Sequence, residues 1–436
     1  MTKDSIELVL KDKGNTENQL ASPSPWLFVP TLYFAEGVPY IIINQVSVLF
    51  YKKLGIDNAQ IALWTSFLYL PWILKMFWGP LIDIYSTKRN WILYTQFAMT
   101  CCLSCLAISL QLPNFFFISL CVLAVGAFIS ATQDIVVDGF YMLTLAKEDQ
   151  ALFVGVRSTF YRIAMIFGSG GLVFLAGQLE VSLKDVALSW TIAIGLSALV
   201  FAVICLFHWV TLPVFNSDSE KSLDSPIKEF YFEIIKSYFN QEKIGAIIAF
   251  ILLYRAGEAV LVKLTSPFLL DKIELGGLGL STSNVGVIYG TVGAISLTLG
   301  GILGGVLVSK YGIKKCMWPM ALALNLPNLF YVYMASTQLS IKWVYLLVSI
   351  EQFGYGLGTA AYSVYFMYLA KDEYKTTHFA ISTGIMALGM MLPGLVSGYI
   401  QQALGYQSFF ILGFLLTIPG MLTIFFIPLD SESPNP

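Results

Sequence analysis

Long runs of apolar residues alternate with short polar connections along most of the chain. A helix that crosses a bilayer needs about twenty consecutive apolar residues, and twelve windows of the sequence meet this requirement. The windows cover residues 26–51, 60–82, 91–111, 115–146, 151–178, 188–212, 243–271, 283–309, 314–336, 341–370, 376–402 and 405–429. The pattern predicts an all-α membrane protein with twelve transmembrane helices.

One long polar connection divides these windows into six and six. Residues 213–242 are polar, and their second half has the mixed pattern of an amphipathic helix at a membrane surface. We therefore predict six-helix halves at 26–212 and 243–429, with polar tails at 1–25 and 430–436. The first tail lacks the charged-then-apolar order of a signal peptide, so we expect it to remain attached.

The composition agrees with a membrane protein. Hydrophobic residues make up 57% of the chain and charged residues only 12%, against about 25% charged in soluble proteins. The net charge of −2 and the lack of a basic run exclude a nucleic-acid partner, because nothing would neutralise phosphates. The six cysteines have neither disulfide nor metal-site spacing. We expect no metal or other cofactor, and a monomer in the lipid bilayer.

The basic residues predict an orientation. Most of the 25 Lys and Arg residues lie in the N-terminal tail, the central loop and the connections on the same side. The opposite side holds only Lys52, Lys53, Lys184, Lys272 and Lys342. Because basic residues are enriched in cytoplasmic connections, both termini and the central loop are predicted to be cytoplasmic.

The two halves share a weak internal repeat. Gly79 and Lys88 of the first half match Gly305 and Lys314 of the second at the same spacing, in equivalent connections. Repeated halves with charges near mid-membrane are typical of carriers that work by alternating access and argue against a passive channel.

The connection after the second predicted helix carries a recognisable motif. The segment Gly79-Pro-Leu-Ile-Asp83, followed by Lys88 and Arg89, resembles the loop signature G-x-x-x-D-R-x-G-R-[KR] of the major facilitator superfamily. Ile84 and Ser86 depart from that signature. In the superfamily this loop braces the two halves in one access state, so the resemblance implies a gating role for Asp83, Lys88 and Arg89.

Three further segments narrow the resemblance. The segments 70–83 and 131–138, and the pair Tyr161-Arg162, resemble helices 2, 4 and 5 of AmpG-type muropeptide permeases in the peptide/acetyl-CoA transporter group. The resemblance implies a bacterial inner-membrane importer of a muropeptide, GlcNAc-anhydro-MurNAc with or without peptide. Siderophore permeases share much of the pattern, so a siderophore or its ferric complex is the alternative, followed by an acyl-CoA-type nucleotide.

Ten charged residues lie inside the predicted spans, where such residues usually pair or face a cavity. They are Glu36, Asp134, Asp138, Glu258, Glu351, Lys75, Arg157, Arg162, Arg255 and Lys263. Asp134 and Asp138 are four residues apart, so both lie on one face of the fourth helix. Their common face predicts a polar cavity or a buried network of ion pairs.

Depth separates these two aspartates. Asp138 falls in the same cytoplasmic layer as Arg157, which predicts a gating or structural ion pair. Asp134 lies one turn deeper, nearer Lys75 and Arg162. Glu36 lies about 15 Å into the first helix. We hypothesise that Asp134, or else Glu36, couples transport to protons.

Further candidates follow from the other polar residues of the spans. Glu258 and Glu351 are additional proton-coupling candidates. Arg255 can pair with Glu258 three residues away or bind an anion, and the sequence leaves both open. Contacts with a small-molecule substrate are expected from Lys75, Gln133, Arg162, Arg255, Asn44, Gln45, Tyr33 and Gln352.

Other classes of protein fit the sequence less well. It has no P-loop, nucleophile elbow or His-rich metal spacing, so we do not expect an enzyme. A non-transporting receptor or scaffold of the same fold remains the alternative from a different class.

Overall fold

The structure, a computed structural model, describes residues 24–79, 82, 86–145, 147–213, 235–370 and 375–429. Throughout these ranges every regular element is a helix. The predicted gating residue Asp83, both polar tails except the two residues next to α1, and most of the central loop lie outside them.

Within the described ranges, the first half contains six helical segments. They are α1 (Pro25–Lys53), α2 (Asn58–Phe67, continued by Leu70–Leu74), α3 (Lys88–Ser109), α4 (Phe115–Thr144), α5 (Lys147–Met165, Ile166–Leu172 and Val173–Leu183) and α6 (Val186–Thr211). The predicted second window is thus broken at Leu68 and Tyr69. Pro71 cannot donate to a carbonyl of the preceding turn, which accounts for a break at this point.

The second half repeats the arrangement. Its segments are α7 (Ile244–Leu270), α8 (Thr282–Tyr311), α9 (Ile313–Asn325 and Leu329–Ser336), α10 (Ile341–Leu369), and α11 and α12 within Lys375–Leu415 and Thr417–Leu422. Gly405, with φ of 72°, separates α11 from α12. The segments of the described ranges therefore follow the twelve predicted windows in order.

Helix starts at one end of the bundle are fixed by side-chain caps. Asp57, Asp185 and Ser281 each accept a hydrogen bond from a backbone N–H three residues later, at 3.0 to 3.2 Å. Such caps satisfy N–H groups that the first turn leaves unpaired. They set where α2, α6 and α8 begin. All three starts lie at the same end of the bundle.

The outer surface is suited to lipid. Eight of the helices in the described ranges are long and apolar enough to cross a membrane. Large apolar side chains are exposed on them, including Phe97, Phe117, Leu206 and Val210. So much exposed apolar surface is rare on soluble monomers, and the molecule is a multi-pass membrane protein.

Three apolar clusters form the core. The largest contains residues of both halves, from Ala35 to Phe201 and from Val260 to Phe410. The other two lie within single halves, around Phe28 and Phe140 in the first and around Ile247 and Phe366 in the second. The halves thus share a core at one end and have separate cores at the other.

Backbone contact between the halves is closest where α5 crosses α8. A Cβ added at Gly290 would lie only 1.9 Å from the carbonyl oxygen of Ser169. A second close crossing joins α2 and α11, where a Cβ at Gly398 would lie 2.3 Å from the carbonyl oxygen of Asn58. Glycine is required at both positions, because any side chain would force the helices apart.

Candidate functional site: a cationic cavity between the halves

A cavity of about 470 Å³ lies between the two halves, below the shared core. Sites for small molecules are typically about 300–1,000 Å³, so the cavity has the volume of a binding site. Residues of α1, α2 and α5 line it from the first half, and residues of α7, α8, α10 and α11 line it from the second.

Four cations line the cavity: Lys75, Arg162, Arg255 and Lys263. No Asp or Glu is among the described residues of its wall. The carboxylates that accompany Lys75 and Arg255 lie behind the wall. The space itself is therefore electrostatically suited to an anion.

Aromatic rings form much of the remaining wall. Tyr40 packs edge-on against Trp72, with ring centroids 5.1 Å apart, and lies beside Tyr69 and Tyr161. The second half contributes further tyrosines, Tyr289, Tyr355 and Tyr362. Rings with hydroxyl groups provide apolar contact and hydrogen bonds together, which suits a ligand with ring systems and polar substituents.

The first charged cluster lies in the first half, where α1, α2 and α4 meet. Lys75 donates to a carboxylate oxygen of Asp134 in an ion pair. The Glu36 carboxyl group is close enough to Asp134 for the two to interact electrostatically. The Oε2 atom of Glu36 is buried and has no hydrogen-bond partner in the described part of the chain. Two carboxyl groups in such contact can share a proton, with Lys75 as the counter-ion.

Asp138 forms a separate group one turn along α4. Nη2 of Arg157 lies 3.1 Å from Oδ1 of Asp138, and the Tyr33 hydroxyl donates to the same oxygen at 2.8 Å. The Arg157 guanidinium also stacks over Tyr33 and Tyr141, 4.7 and 5.3 Å from the ring centroids. The structure thus forms the predicted pairing of Asp138 with Arg157.

A second ion pair is internal to α7. Nε and Nη2 of Arg255 donate to the two carboxylate oxygens of Glu258 at 2.9 and 3.0 Å. Arg255 also donates to the Tyr355 hydroxyl and lies 5.1 Å from the centroid of that ring. Of the two possibilities that the sequence left open, the structure forms the pair, and Arg255 still faces the cavity.

Glu351 on α10 is held by neutral hydrogen-bond donors. Its Oε2 accepts hydrogen bonds from the Gln352 amide at 2.9 Å and the Tyr331 hydroxyl at 3.2 Å. No cation is within ion-pair distance in the part of the chain that is described. Gln352 lines the cavity and connects this carboxylate to it.

The two remaining cavity cations have only neutral partners in the described ranges. Arg162 donates to the thioether of Met165 at 3.2 Å. Lys263 donates to the Thr65 carbonyl at 3.1 Å and lies 4.8 Å from the centre of the Tyr69 ring. Each of these cations would gain an ionic partner from an anionic ligand.

A widened turn in α1 presents two predicted contact residues. Ile42–Val46 is a π-helical turn, a form that often marks functional sites. Within it Asn44 donates to the Tyr40 carbonyl at 3.1 Å, while its Oδ1 is buried without a partner in the described residues. Asn44 and Gln45 both line the cavity.

Two predicted substrate contacts lie elsewhere. Tyr33 and Gln133 are not part of the cavity wall. Tyr33 belongs to the Asp138 group. Gln133 is 1% exposed, and its amide atoms have no hydrogen-bond partner among the described residues. The remaining predicted contacts, Lys75, Arg162, Arg255, Asn44, Gln45 and Gln352, do line the cavity.

The predicted gating residues near α3 contact their own half. Arg89 donates to the carbonyl oxygens of Leu212 and Trp209 at 3.0 and 2.8 Å. A cation at the carboxyl end of a helix is favourable, so Arg89 fastens α3 to the end of α6. Lys88 is buried and lies against Gly139 of α4.

A polar network closes the shared-core end of the cavity, which we call the closed end. Lys52 forms an ion pair with Asp271 of the other half, at 2.6 Å, and donates to Asn58 at 2.8 Å. Asn58 donates to Gln401 and Tyr406 at 2.9 Å each, and the Tyr406 hydroxyl donates to Asp271 at 2.6 Å. We call this network the end seal.

The end seal continues where α5 meets α8. Lys53 pairs with Glu180 at 3.1 Å. Glu180 also accepts from the Thr282 hydroxyl of the second half at 2.8 Å and from the Trp190 indole at 3.0 Å. These residues carry no predicted role, although their charges at successive helix ends on one side were a usable signal.

Comparisons with known proteins agree with this architecture. The sequence model of the Major Facilitator Superfamily matches residues 31–392. The chain is 25% identical to a putative transporter AmpG 4 of Rickettsia felis, over 91% of this chain and 94% of that protein. It is also 25% identical to the anhydromuropeptide permease of Escherichia coli K12, over 90% of this chain and 77% of that protein.

The fold also matches solved transporter structures. The crystal structure of a D-xylose-proton symporter superposes with a TM-score of 0.70 at 12% identity, covering 92% of this chain and 97% of that one. At this identity the likeness concerns the fold alone.

Proposed function

Because the chain belongs to the major facilitator superfamily, we propose that this transporter imports an anionic muropeptide together with protons. The substrate would be GlcNAc-anhydro-MurNAc, with or without its peptide. The observation that carries the proposal is the cationic wall of the central cavity, which has no Asp or Glu among its described residues. The names of the relatives in Rickettsia felis and Escherichia coli support the choice of muropeptide.

The chemistry of such a substrate fits the wall of the cavity. A muropeptide has two sugar rings, amide groups and at least one carboxylate. The carboxylate would bind Lys263 or Arg162, whose partners in the described ranges are neutral. The sugar rings would pack on the tyrosines and Trp72, while Asn44 and Gln45 would hydrogen-bond their amides.

Alternating access gives the transport cycle. With both termini in the cytoplasm, the end seal faces the periplasm, and the ends with separate cores face the cytoplasm. The structure then corresponds to a state closed to the periplasm. Import requires the end seal to open for loading and to close again for release on the other side of a bacterial inner membrane.

Proton coupling would use Glu36, Asp134 and Lys75. Lys75 faces the cavity while it pairs with Asp134 behind the wall. A substrate anion attracts Lys75 away from Asp134. The two carboxyl groups, left without their counter-ion, then retain a shared proton, because like charges in contact disfavour double ionisation. Substrate and proton would therefore cross together. Glu351 and Glu258 are the second choice for this role.

Asp138 and Arg157 would act beside this group as a gate. Their ion pair connects α4 to α5, and the hydrogen bond from Tyr33 to Asp138 connects α1 to α4. All three helices belong to the first half, so the pair would keep the cytoplasmic part of that half in one arrangement.

Uptake and counterflow in proteoliposomes test the proposal. Labelled GlcNAc-anhydro-MurNAc should accumulate when the outside is acidic. Glu36→Gln or Asp134→Asn should lose this accumulation and keep counterflow, because exchange needs no net proton movement. Glu274→Gln, at an exposed position, is the matched control and should behave as the parent protein does.

Different failures point to different errors. If both variants still accumulated substrate fully under a proton gradient, Glu36 and Asp134 would not couple transport to protons. If the parent protein exchanges no muropeptide, the substrate is wrong, and counterflow of a ferric siderophore or an acyl-CoA identifies the alternative. A scaffold would exchange none of them.

A further inference from the structure

Lys263 makes a contact that joins the two halves directly above the cavity. It is 2% exposed and lies on α7 of the second half, yet its ammonium donates to the Thr65 carbonyl on α2 of the first. That carbonyl is free because the helix breaks after it: the Tyr69 N–H donates to Ser66 at 3.1 Å rather than to Thr65.

The partner of Lys263 is weaker than that of the other lysine in the cavity wall. Lys75 has the carboxylate of Asp134, whereas Lys263 has a neutral carbonyl and the face of Tyr69. A carboxylate carries a full opposite charge that a neutral carbonyl lacks, so it attracts the ammonium more strongly in a site shielded from water. An anion in the cavity would therefore displace the Thr65 carbonyl from Lys263.

The position of Lys263 relates this exchange to the end seal. Asp271, which pairs with Lys52, lies eight residues further along the same chain, about 12 Å away along the helix axis. On the other helix of the contact, α2, the end seal includes the first residue, Asn58, to which Lys52 donates. The Lys263–Thr65 contact is thus an inner layer of the closed end, between the end seal and the cavity.

We propose that Lys263 is a substrate-operated latch: with the cavity empty it holds α7 to the broken turn of α2, and a substrate carboxylate releases it by becoming its partner. During import the exchange of partners is reversed, because Lys263 begins with the substrate carboxylate as its partner. Departure of the carboxylate returns Lys263 to Thr65, which closes the inner layer behind the released substrate.

The part of the proposal that names the anion rests on the proposed function, whereas the latch does not. Two probes separate them: GlcNAc-anhydro-MurNAc with its free lactyl carboxylate, and the same disaccharide with that group as a methylamide. The parent protein should bind the carboxylate about tenfold or more tightly, since a hydrogen bond between ionised groups is lost in the amide. Lys263→Met should bind both alike, and Lys263→Arg should keep the preference.

The latch itself is tested without any substrate. Ser283→Cys places a thiol at a buried position of the closed end, where Ser283 accepts from Gln178. The rate at which a membrane-impermeant maleimide reacts with this thiol reports opening of the closed end. The reaction of the protein without Ser283→Cys gives the background to subtract. Lys263→Met should label several-fold faster with no ligand present, and Lys263→Arg should label at the parent rate.

Each result tests either the Lys263 latch or the identity of the substrate anion. Parent-like labelling of ligand-free Lys263→Met refutes the latch, even if muropeptide exchange is intact. Faster labelling supports the latch, even if neither disaccharide binds to the parent protein, in which case only the proposed substrate is wrong. If Lys263→Met still binds the carboxylate more tightly than the methylamide, another cation binds the substrate anion. That result would overturn this part of the proposal.

Discussion

Replacing Gly290 with Ala should be the most damaging single-methyl change at the crossing of α5 and α8. The added Cβ would lie 1.9 Å from the Ser169 carbonyl oxygen and 2.4 Å from the Gly170 nitrogen. All of its nearest neighbours are backbone atoms, so no side-chain rotation can relieve the clash. The two helices must separate instead.

The size of the effect follows from these distances. Restoring an ordinary contact of 3.4 Å requires the backbones to part by about 1.5 Å. Overpacking of a well-packed core costs about 1–3 kcal/mol, which shifts a two-state equilibrium about 5–150-fold. Because the clash exists only while α5 touches α8, the shift should favour states in which the closed end is open.

Maleimide labelling of Ser283→Cys and counterflow of GlcNAc-anhydro-MurNAc measure this shift. Gly290→Ala should label faster than the parent protein and exchange substrate more slowly. Gly305→Ala is the matched control, because it lies on the same helix with no atom within 4 Å of the added Cβ. Parent-like labelling and exchange by Gly290→Ala would refute the argument that this contact closes the end.

Three other changes have defined outcomes. Asp271→Ala should open the closed end more than Lys52→Ala, because Asp271 also accepts from Tyr406 and Asn58; the loss of a buried ion-pair partner costs about 3 kcal/mol, and maleimide access at Ser283→Cys ranks the two variants. Arg157→Lys keeps the charge but loses the planar stacking on Tyr33 and Tyr141, so uptake should fall several-fold, and Arg157→Gln should lower it further; equal uptake by both variants would mean that only the shape of the side chain matters. Arg255→Lys should raise the KM for muropeptide, because Lys cannot keep both bonds to Glu258, and an unchanged KM would exclude Arg255 from the substrate site.

Helix periodicity and depth were enough to predict several of the charge pairs within the spans. Residues on neighbouring helices at the same depth can reach each other, which brought Asp138 to Arg157 and Asp134 to Lys75. Arg255 and Glu258 are on one helix, three residues apart. In these cases the ordering of charges along apolar helices carries the information, because an unpaired charge at that depth is costly.

Contacts between the halves could not be predicted in the same way. Lys263 binds a backbone carbonyl, and a carbonyl leaves no mark in the sequence of side chains. Lys52 and Asp271 lie at helix ends where a charge is also stable in water. Their pairing depends on how the halves are placed against each other, which depth within one helix does not determine. The missing wall contacts of Gln133 and Tyr33 have the same cause, since rotation of α4 and α1 decides which face meets the cavity.

The π-helical turns give the cavity a further property. Besides Ile42–Val46 in α1, such turns occur at Ile166–Leu172 in α5 and Gly286–Gly293 in α8, and all three contribute to the wall. A π turn holds one residue more than the α turn it replaces, so converting one into the other turns the adjoining helix segment by about 100° and shifts it along its axis by about 1.5 Å. Asn44 and Tyr289 could thus face the cavity differently when the adjoining helix segment turns. The cavity could therefore change shape by local screw motions within single helices, which is a different movement from the proposed rocking of one half against the other.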